Sequence, residues 1–254
     1  MVASFCFCHL SIIPLRADHS DQSEIVTQML FGEVGVILKT HNQWLLIKMA
    51  QDGYEGWIDH KQVVFITEVS FNKLKNITHR QEELVLPLWT SYGNIHTVKG
   101  SVLPSTSESF KMEELSFTWE KKPVVSSVAS IVETAMSYLN APYLWGGRTP
   151  FGIDCSGFTQ AVYHFNGFQL PRDASQQVHE GKTIEFNDVQ PGDLAFFENK
   201  KRRIHHVGII LKENKCIHAS GQVRIDSLSQ QGIIHAEKKE LTHSLHCIKR
   251  LIEE

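Results

Sequence analysis

Along the first third of the chain, short β-branched or aromatic runs alternate with polar breaks. Residues 10–15, 34–38 and 44–49 form such runs, punctuated by Gly, Asp and Asn, a rhythm that predicts short strands. Residues 17–23 are polar and read as a loop between them. The segment Asp52-Gly53-Tyr54-Glu55-Gly56-Trp57-Ile58 sets two glycines around an aromatic strand, as small barrels do at tight corners. Cys6 and Cys8 alternate with apolar neighbours and read as one face of a strand. Residues 84–89, 97–103 and 115–119 are further strand-like runs. Whether 67–122 make a second, degenerate barrel or an elaborated connector stays open at this level. Lys121-Lys122-Pro123 is a natural boundary.

Beyond that boundary the period lengthens. From Ser126, the apolar residues Val128, Ile131, Val132, Ala135, Met136 and Leu139 fall on one helical face. A second helix follows Asp154, with Phe158, Ala161, Val162 and Phe165 on one side and Gly167 as its stop. After Pro191-Gly192-Asp193, strand-like runs return at 194–197, 207–211, 216–219, 223–225 and 247–252. Helices first and an antiparallel sheet afterwards define an α+β arrangement.

A length of 254 residues allows two or three small domains. The net charge of -3 and the brevity of the one basic cluster, Lys200-Lys201-Arg202-Arg203, give no electrostatic case for a nucleic-acid partner. Five cysteines, an odd number without a CxxC pair, do not form a disulfide framework. The 14 histidines include no HExxH and no Cys2His2 spacing, so neither a metal nor another cofactor is expected. The apolar amino terminus lacks a basic segment ahead of its apolar stretch and reads as strand rather than signal peptide. No apolar run reaches the ~18 residues of a membrane span. Together these predict a cytoplasmic location, no membrane partner and no obligate protein partner.

The candidate chemistry sits at Cys155. A thiol nucleophile needs access to substrate, stabilisation of its ionised form and a proton partner. A glycine-rich loop leads to Asp154, a good N-cap, and places Cys155 in the first helical turn, where the helix end favours negative charge. Amides of that turn can also meet a developing oxyanion. His206 and His218 follow at a separation that an antiparallel hairpin can convert into adjacent side chains, ~5 Å apart if directly opposed. Only one of His205 and His206 can face the thiol from a strand. Read on its own, Cys155 fits a buried helix-start cysteine better than a nucleophile, since free cysteine is among the most buried residue types.

The run from Tyr143 to Phe158, Tyr-Leu-Trp-Gly-Gly followed by a loop and Asp-Cys-Ser-Gly-Phe, closely resembles the nucleophile segment of NlpC/P60 peptidases. Four further segments occur in that family's order: Leu170-Pro-Arg-Asp, Pro191-Gly-Asp-Leu-Ala-Phe-Phe, His206-Val-Gly-Ile-Ile and Ile217-His-Ala-Ser-Gly. The likeness spans roughly residues 126–252. It implies a papain-like fold in which Cys155 attacks the scissile carbonyl, His206 is its base and His218 orients His206. The front of the chain, about residues 8–66, resembles a bacterial SH3-like domain through the Phe31-Gly32-Glu33 turn and the Gly-Tyr-x-Gly-Trp corner. The expected organisation is therefore an SH3-like small barrel over 1–66, a second degenerate barrel or connector over 67–122, and an NlpC/P60 domain over 123–254.

Such domains with an SH3-like front end include γ-D-glutamyl-L-diamino acid endopeptidases. The resemblance thus implies a murein tripeptide or related muropeptide substrate with a free amino-terminal L-Ala, cleaved during cell-wall recycling. It also implies substrate contacts at Tyr54, Tyr143, Asp154, Ser156 and Asp173. Tyr54 is alternatively a barrel-corner residue, Tyr143 a half-buried structural one, and Asp154 a plain helix cap. Two other functional classes remain at this level: a wall-peptide-binding module without catalysis, and an amidase or acyltransferase using the same Cys–His pair.

Overall fold

The computed structural model describes residues 4–123 and 130–252. The chain divides into two compact units, Met1–Ser127 and Val128–Glu254. No helix among the described residues is long and apolar enough to cross a membrane.

The first unit is mostly strand. Strands β1 (Ser4–Cys8), β2 (Ile12–Arg16), β3 (Ile25–Leu30), β4 (Val34–His41), β5 (Trp44–Met49), β6 (Glu55–Asp59) and β7 (Val63–Ile66) form an antiparallel sheet in the order β3-β2-β6-β5-β4-β1-β7. β1 is buried on both faces. Cys6 and Cys8 pack with Ile13, Ile47 and Met49, while Phe5 and Phe7 belong to a second core. Helix α1 (Glu68–Leu74), which the sequence pattern did not predict, contributes Phe71 and Leu74 to that second core. Strands β8 (Val85–Thr90), β9 (Gly93–Val98), β10 (Ser109–Met112) and β11 (Leu115–Trp119) form a four-stranded sheet in the order β10-β11-β8-β9. Its Phe117 ring meets Phe7 and Phe31 edge-on, so the two sheets share one aromatic core. At the predicted turn, Gly32 has φ of 84° and presses against Val102, where any Cβ would strike the Val102 carbonyl.

The second unit begins with α2 (Ile131–Met136), opened by a Ser130–Glu133 capping box. The predicted apolar face is displaced. Ile131, Thr134, Ala135 and Tyr138 are buried, whereas Met136 and Leu139 are exposed, because the inward stripe advances by three and four residues from Ile131. Val128 lies outside the described residues. A hairpin of β12 (Arg148–Thr149) and β13 (Gly152–Ile153) leads into α3 (Cys155–Phe165), which stops at Gly167, φ 80°. Short α4 (Ala174–Gln177) follows.

Strands β14 (Lys182–Ile184), β15 (Leu194–Glu198), β16 (Ile204–Leu211), β17 (Lys215–Ser220), β18 (Gln222–Ser229), β19 (Gly232–Ile234) and β20 (Leu241–Arg250) then form an antiparallel sheet in the order β14-β20-β15-β16-β17-β18-β19. β19 pairs with β20 as well, which closes the sheet on itself. One face, through Leu194, Phe196, Val207, Ile209 and Ile217, packs on α2 and α3. The other encloses a smaller core that includes Phe197, Ile210, Cys216 and Leu228.

Candidate active site

Asp154 builds the start of α3. Its Oδ1 accepts from the Gly157 amide at 2.7 Å and its Oδ2 from the Gly146 amide at 2.8 Å. Arg172, almost wholly buried, grips the same carboxylate with two hydrogen bonds of 3.0 and 2.6 Å and donates to the Ser156 hydroxyl at 2.9 Å. Breaking such a buried pair from one side costs about 3–5 kcal/mol, because the remaining charge is left without its counterion. Gly157 sits where any Cβ would strike the Gly147 carbonyl, so the glycine-rich loop is clamped onto the helix start. Cap, ion pair and close backbone approach together fix Cys155 as the first residue of α3.

The sulfur lies against β16. Backbone amides of Val207 and Ser156 donate to it, and the Val207 amide is bonded directly to the carbonyl carbon of His206. The β16–β17 ladder pairs Ile209–Leu211 with Lys215–Ile217, leaving the Val207 amide to meet the thiol beyond it. Burial, followed by the nearby Asp154 charge, pushes the thiol up to about 12. His206, 5% exposed, is held below its ordinary 6.5 by burial and by the neighbouring His218, His243 and His205. Burial thus acts on each group toward its uncharged form.

His206 Nε2 lies 2.8 Å from His218 Nδ1. Continuing the β16–β17 register sets Gly208, not His206, opposite His218. The two imidazoles are therefore diagonal neighbours rather than directly opposed. Gly208 makes room for this, since a Cβ there would lie 2.9 Å from the His218 Cβ and 2.5 Å from the Cys216 sulfur. His205 is the extra residue of a bulge, because Phe197 and Glu198 pair with His206 and Ile204. Its side chain is exposed, as strand alternation predicted.

The other named positions fall as follows. Tyr143 is half-buried against the core under α3, and burial followed by the nearby Cys155 and Asp154 pushes its phenol up to about 12. Ser156 is buried, its hydroxyl engaged by Arg172. Asp173 is the N-cap of α4, beside Arg172 in sequence. Asp154 accepts from two amides and two guanidinium nitrogens, with the Ser156 hydroxyl 3.4 Å away. In the first unit, the Tyr54 side chain packs on the core around Ile13 and Ile47, and its amide donates to Asp52 Oδ1 at 2.9 Å. Trp145 is 61% exposed.

Three participants were not singled out by the sequence pattern. Arg172 lies within the Leu-Pro-Arg-Asp segment, one residue from the Asp173 that was named. Asp226 Oδ2 lies 3.0 Å from His218 Nε2, and the alternation Arg224-x-Asp226 along the predicted strand was its available signal. The His243 ring stacks on His206 at 4.2 Å with an interplanar angle of 25°. It fell outside the strand predicted over 247–252, whereas β20 begins at Leu241.

A thiol on a helix start, packed on a sheet that carries an imidazole pair, is the arrangement of a papain-like thiol hydrolase. Residues 140–241 match the NlpC/P60 family and residues 15–63 match the bacterial dipeptidyl-peptidase Sh3 domain. The gamma-D-glutamyl-L-lysine dipeptidyl-peptidase of Bacillus subtilis is 31% identical over 77% of this chain and 72% of its own length. Dipeptidyl-peptidase 6 of Lysinibacillus sphaericus is 31% identical over 85% of this chain and 89% of its own. The crystal structure of an NlpC/P60 family protein from Bacillus cereus matches in fold, with a TM-score of 0.80, 19% identity, and coverage of 98% of this chain and 100% of that one. The chain belongs to the NlpC/P60 family of cysteine peptidases.

Proposed function

We propose that the protein hydrolyses the γ-D-glutamyl–L-diamino acid bond of murein peptides that carry a free amino-terminal L-Ala, with Cys155 as nucleophile, His206 as base and His218 as the residue that orients it. The observation that carries this reading is the sulfur held by the backbone amide of Val207, the residue after His206, whose imidazole is joined to His218 at 2.8 Å. In the acylation step the Cys155 proton passes to His206 as sulfur bonds to the γ-carbonyl carbon. His206 then returns the proton to the departing amine as the carbon–nitrogen bond breaks. Water, deprotonated by His206, releases L-Ala-γ-D-Glu from the thioester and restores the thiol. The first-turn amide of Cys155 faces the developing oxyanion.

The substrate choice is supported by the two relatives named as dipeptidyl-peptidases, one of them for the γ-D-glutamyl-L-lysine bond. Tyr54, Tyr143, Asp154, Ser156 and Asp173 are our candidates for substrate contacts, and Asp154 also holds the helix start. We place an SH3-like barrel at 1–66, a connecting or second barrel region at 67–122 and the peptidase at 123–254. The setting we infer is recycling of wall fragments in the cytoplasm.

The substrate reading is tested with L-Ala-γ-D-Glu-L-diamino acid tripeptide, free or acetylated at its amino end, and mass spectrometry of the products. A charged ammonium needs specific partners once desolvated, so the free peptide is expected to be cleaved at least about tenfold faster. Equal rates would remove the requirement for a free amino end, and cleavage at another bond would remove the proposed substrate.

A further inference from the structure

Behind the imidazole pair the polar chain continues, through groups that the cleavage reaction as described does not use. His218 faces Arg224 across β17–β18, and Asp226 lies two residues further along the same face. The Asp226 carboxylate, 2% exposed, accepts from His218 Nε2 at 3.0 Å, from the Ala236 amide at 2.7 Å, and from Arg224 at 2.9 and 3.1 Å. Burial alone would raise this carboxyl, but the hydrogen bonds from His218, Ala236 and Arg224 outweigh it and hold the group well below the ordinary carboxylate range. It is therefore an anion near neutral pH, held by four hydrogen-bond donors, and an anion only accepts.

That single fact fixes the protons along the chain. His218 Nε2 must carry hydrogen to donate to Asp226. A neutral His218 then presents a bare Nδ1, which accepts from His206 Nε2–H across 2.8 Å. The neutral ring of His206 is left with its lone pair on Nδ1, the nitrogen turned away from His218. We infer that Asp226 is a positioning residue for the peptidase reaction: it sets the tautomer of both histidines, so that His206 offers a base to the thiol, and steadies the imidazolium that forms when the proton transfers. This rests on the reading of Cys155 and His206 given above.

The substitution Asp226→Asn isolates the effect. The oxygen of the amide takes the place of Oδ1, which receives both the Ala236 amide and Arg224. Its NH2 group then faces His218 Nε2 and also Arg224 Nε, one donor pair that no tautomer relieves, against two in the reverse orientation, where it would face the Ala236 amide and the Arg224 NH2 group. A donor there requires that nitrogen to be bare, so the His218 proton moves to Nδ1, and the His206 proton follows to its own Nδ1. The base then points its lone pair at His218 instead of the thiol.

His206 is also faced by His205 on its own strand and His243 from β20, with Arg224 and Asp226 acting on it through His218, while the Cys155 sulfur rests on the Val207 amide one residue along. The Asp154–Arg172 pair stands behind Cys155. Loss of the Asp226 anion removes support for protonated His206 and moves the acid limb of the kcat/KM profile to lower pH. Arg224→Gln removes the cation that offsets Asp226, and moves the same limb to higher pH.

The experiment combines pH profiles on the tripeptide with 15N-histidine NMR of the full chain. The expected result for Asp226→Asn is a kcat lower by about 10- to 100-fold with KM within about twofold, the acid limb displaced downward and the His218 proton moved from Nε2 to Nδ1. Asp226→Glu, which keeps the anion, is expected to restore part of kcat and the wild-type tautomer. A wild-type protein with the His218 proton on Nδ1 overturns the inference. So does an Asp226→Asn variant with unchanged tautomers, or one that loses activity with a stationary limb, the mark of a merely structural carboxylate. Should Asp226→Asn fail to fold, Arg224→Gln decides: an upward limb supports the inference and a stationary one overturns it. Failure of the peptidase reading itself appears separately, as turnover that survives Cys155→Ala, while the NMR tautomers remain measurable whatever the activity.

Discussion

Burial acts on the sulfur and on the imidazole of His206 in the same sense, driving each toward its uncharged form. Proton transfer then accompanies attack, when the Val207 and Ser156 amides and the end of α3 are already aimed at the sulfur. The consequence for pH follows from the sign of the His206 shift. Catalysis needs the neutral ring, the folded site resists its protonation, and so the acid limb of kcat/KM is expected below 6.5. A profile measured on the tripeptide with its acid limb above 6.5 would mean that the site stabilises the imidazolium instead. Single residues were legible where chemistry and chain position coincide: Cys155 after an N-cap, His206 before Val-Gly-Ile. Asp226, Arg172 and His243 were not, because their roles depend on which strand lies beside which. No local pattern encodes a ring that stacks from the far end of β20.

Among the elements, α3 was read nearly to the residue, since Asp154 and Gly167 mark its ends chemically and its apolar stripe is long enough to show a period. Helix α2 was misread because two turns cannot define a face, and Met136 and Leu139 entered the stripe on apolarity alone. The short strands β14 and β19 escaped notice, having too few residues for alternation to register. The imidazole pair depends on an element-level detail, the absence of a side chain at Gly208 on β16. Alanine there would crowd the His218 Cβ and the Cys216 sulfur, an overpacking that costs about 1–3 kcal/mol in comparable cores. Gly208→Ala is therefore expected to lower kcat at least about tenfold by displacing His218, with a smaller effect on KM and a lower melting temperature. A variant with wild-type kcat and an intact fold would show that the close approach of β16 and β17 is not what seats His218.

At the scale of the whole molecule, the change from strand rhythm to helical rhythm marked residue 123 as the start of the last of three expected segments, and the structure falls into two compact units that divide between residues 127 and 128. The fold class was legible because the α+β order of the second unit and the glycine-marked corners of the first are local signals. The shared aromatic core of Phe7, Phe31 and Phe117 was not, as it joins residues far apart in sequence. The central chemical event in the function proposed here is the formation of a thioester at Cys155. Purified wild-type protein and Cys155→Ala, matched for melting temperature, are to be compared on L-Ala-γ-D-Glu-L-diamino acid with products identified by mass. The wild type is predicted to release L-Ala-γ-D-Glu and the free diamino acid, and the alanine variant to release neither. Turnover by the folded alanine variant at a rate near that of the wild type would contradict a reaction carried by this sulfur.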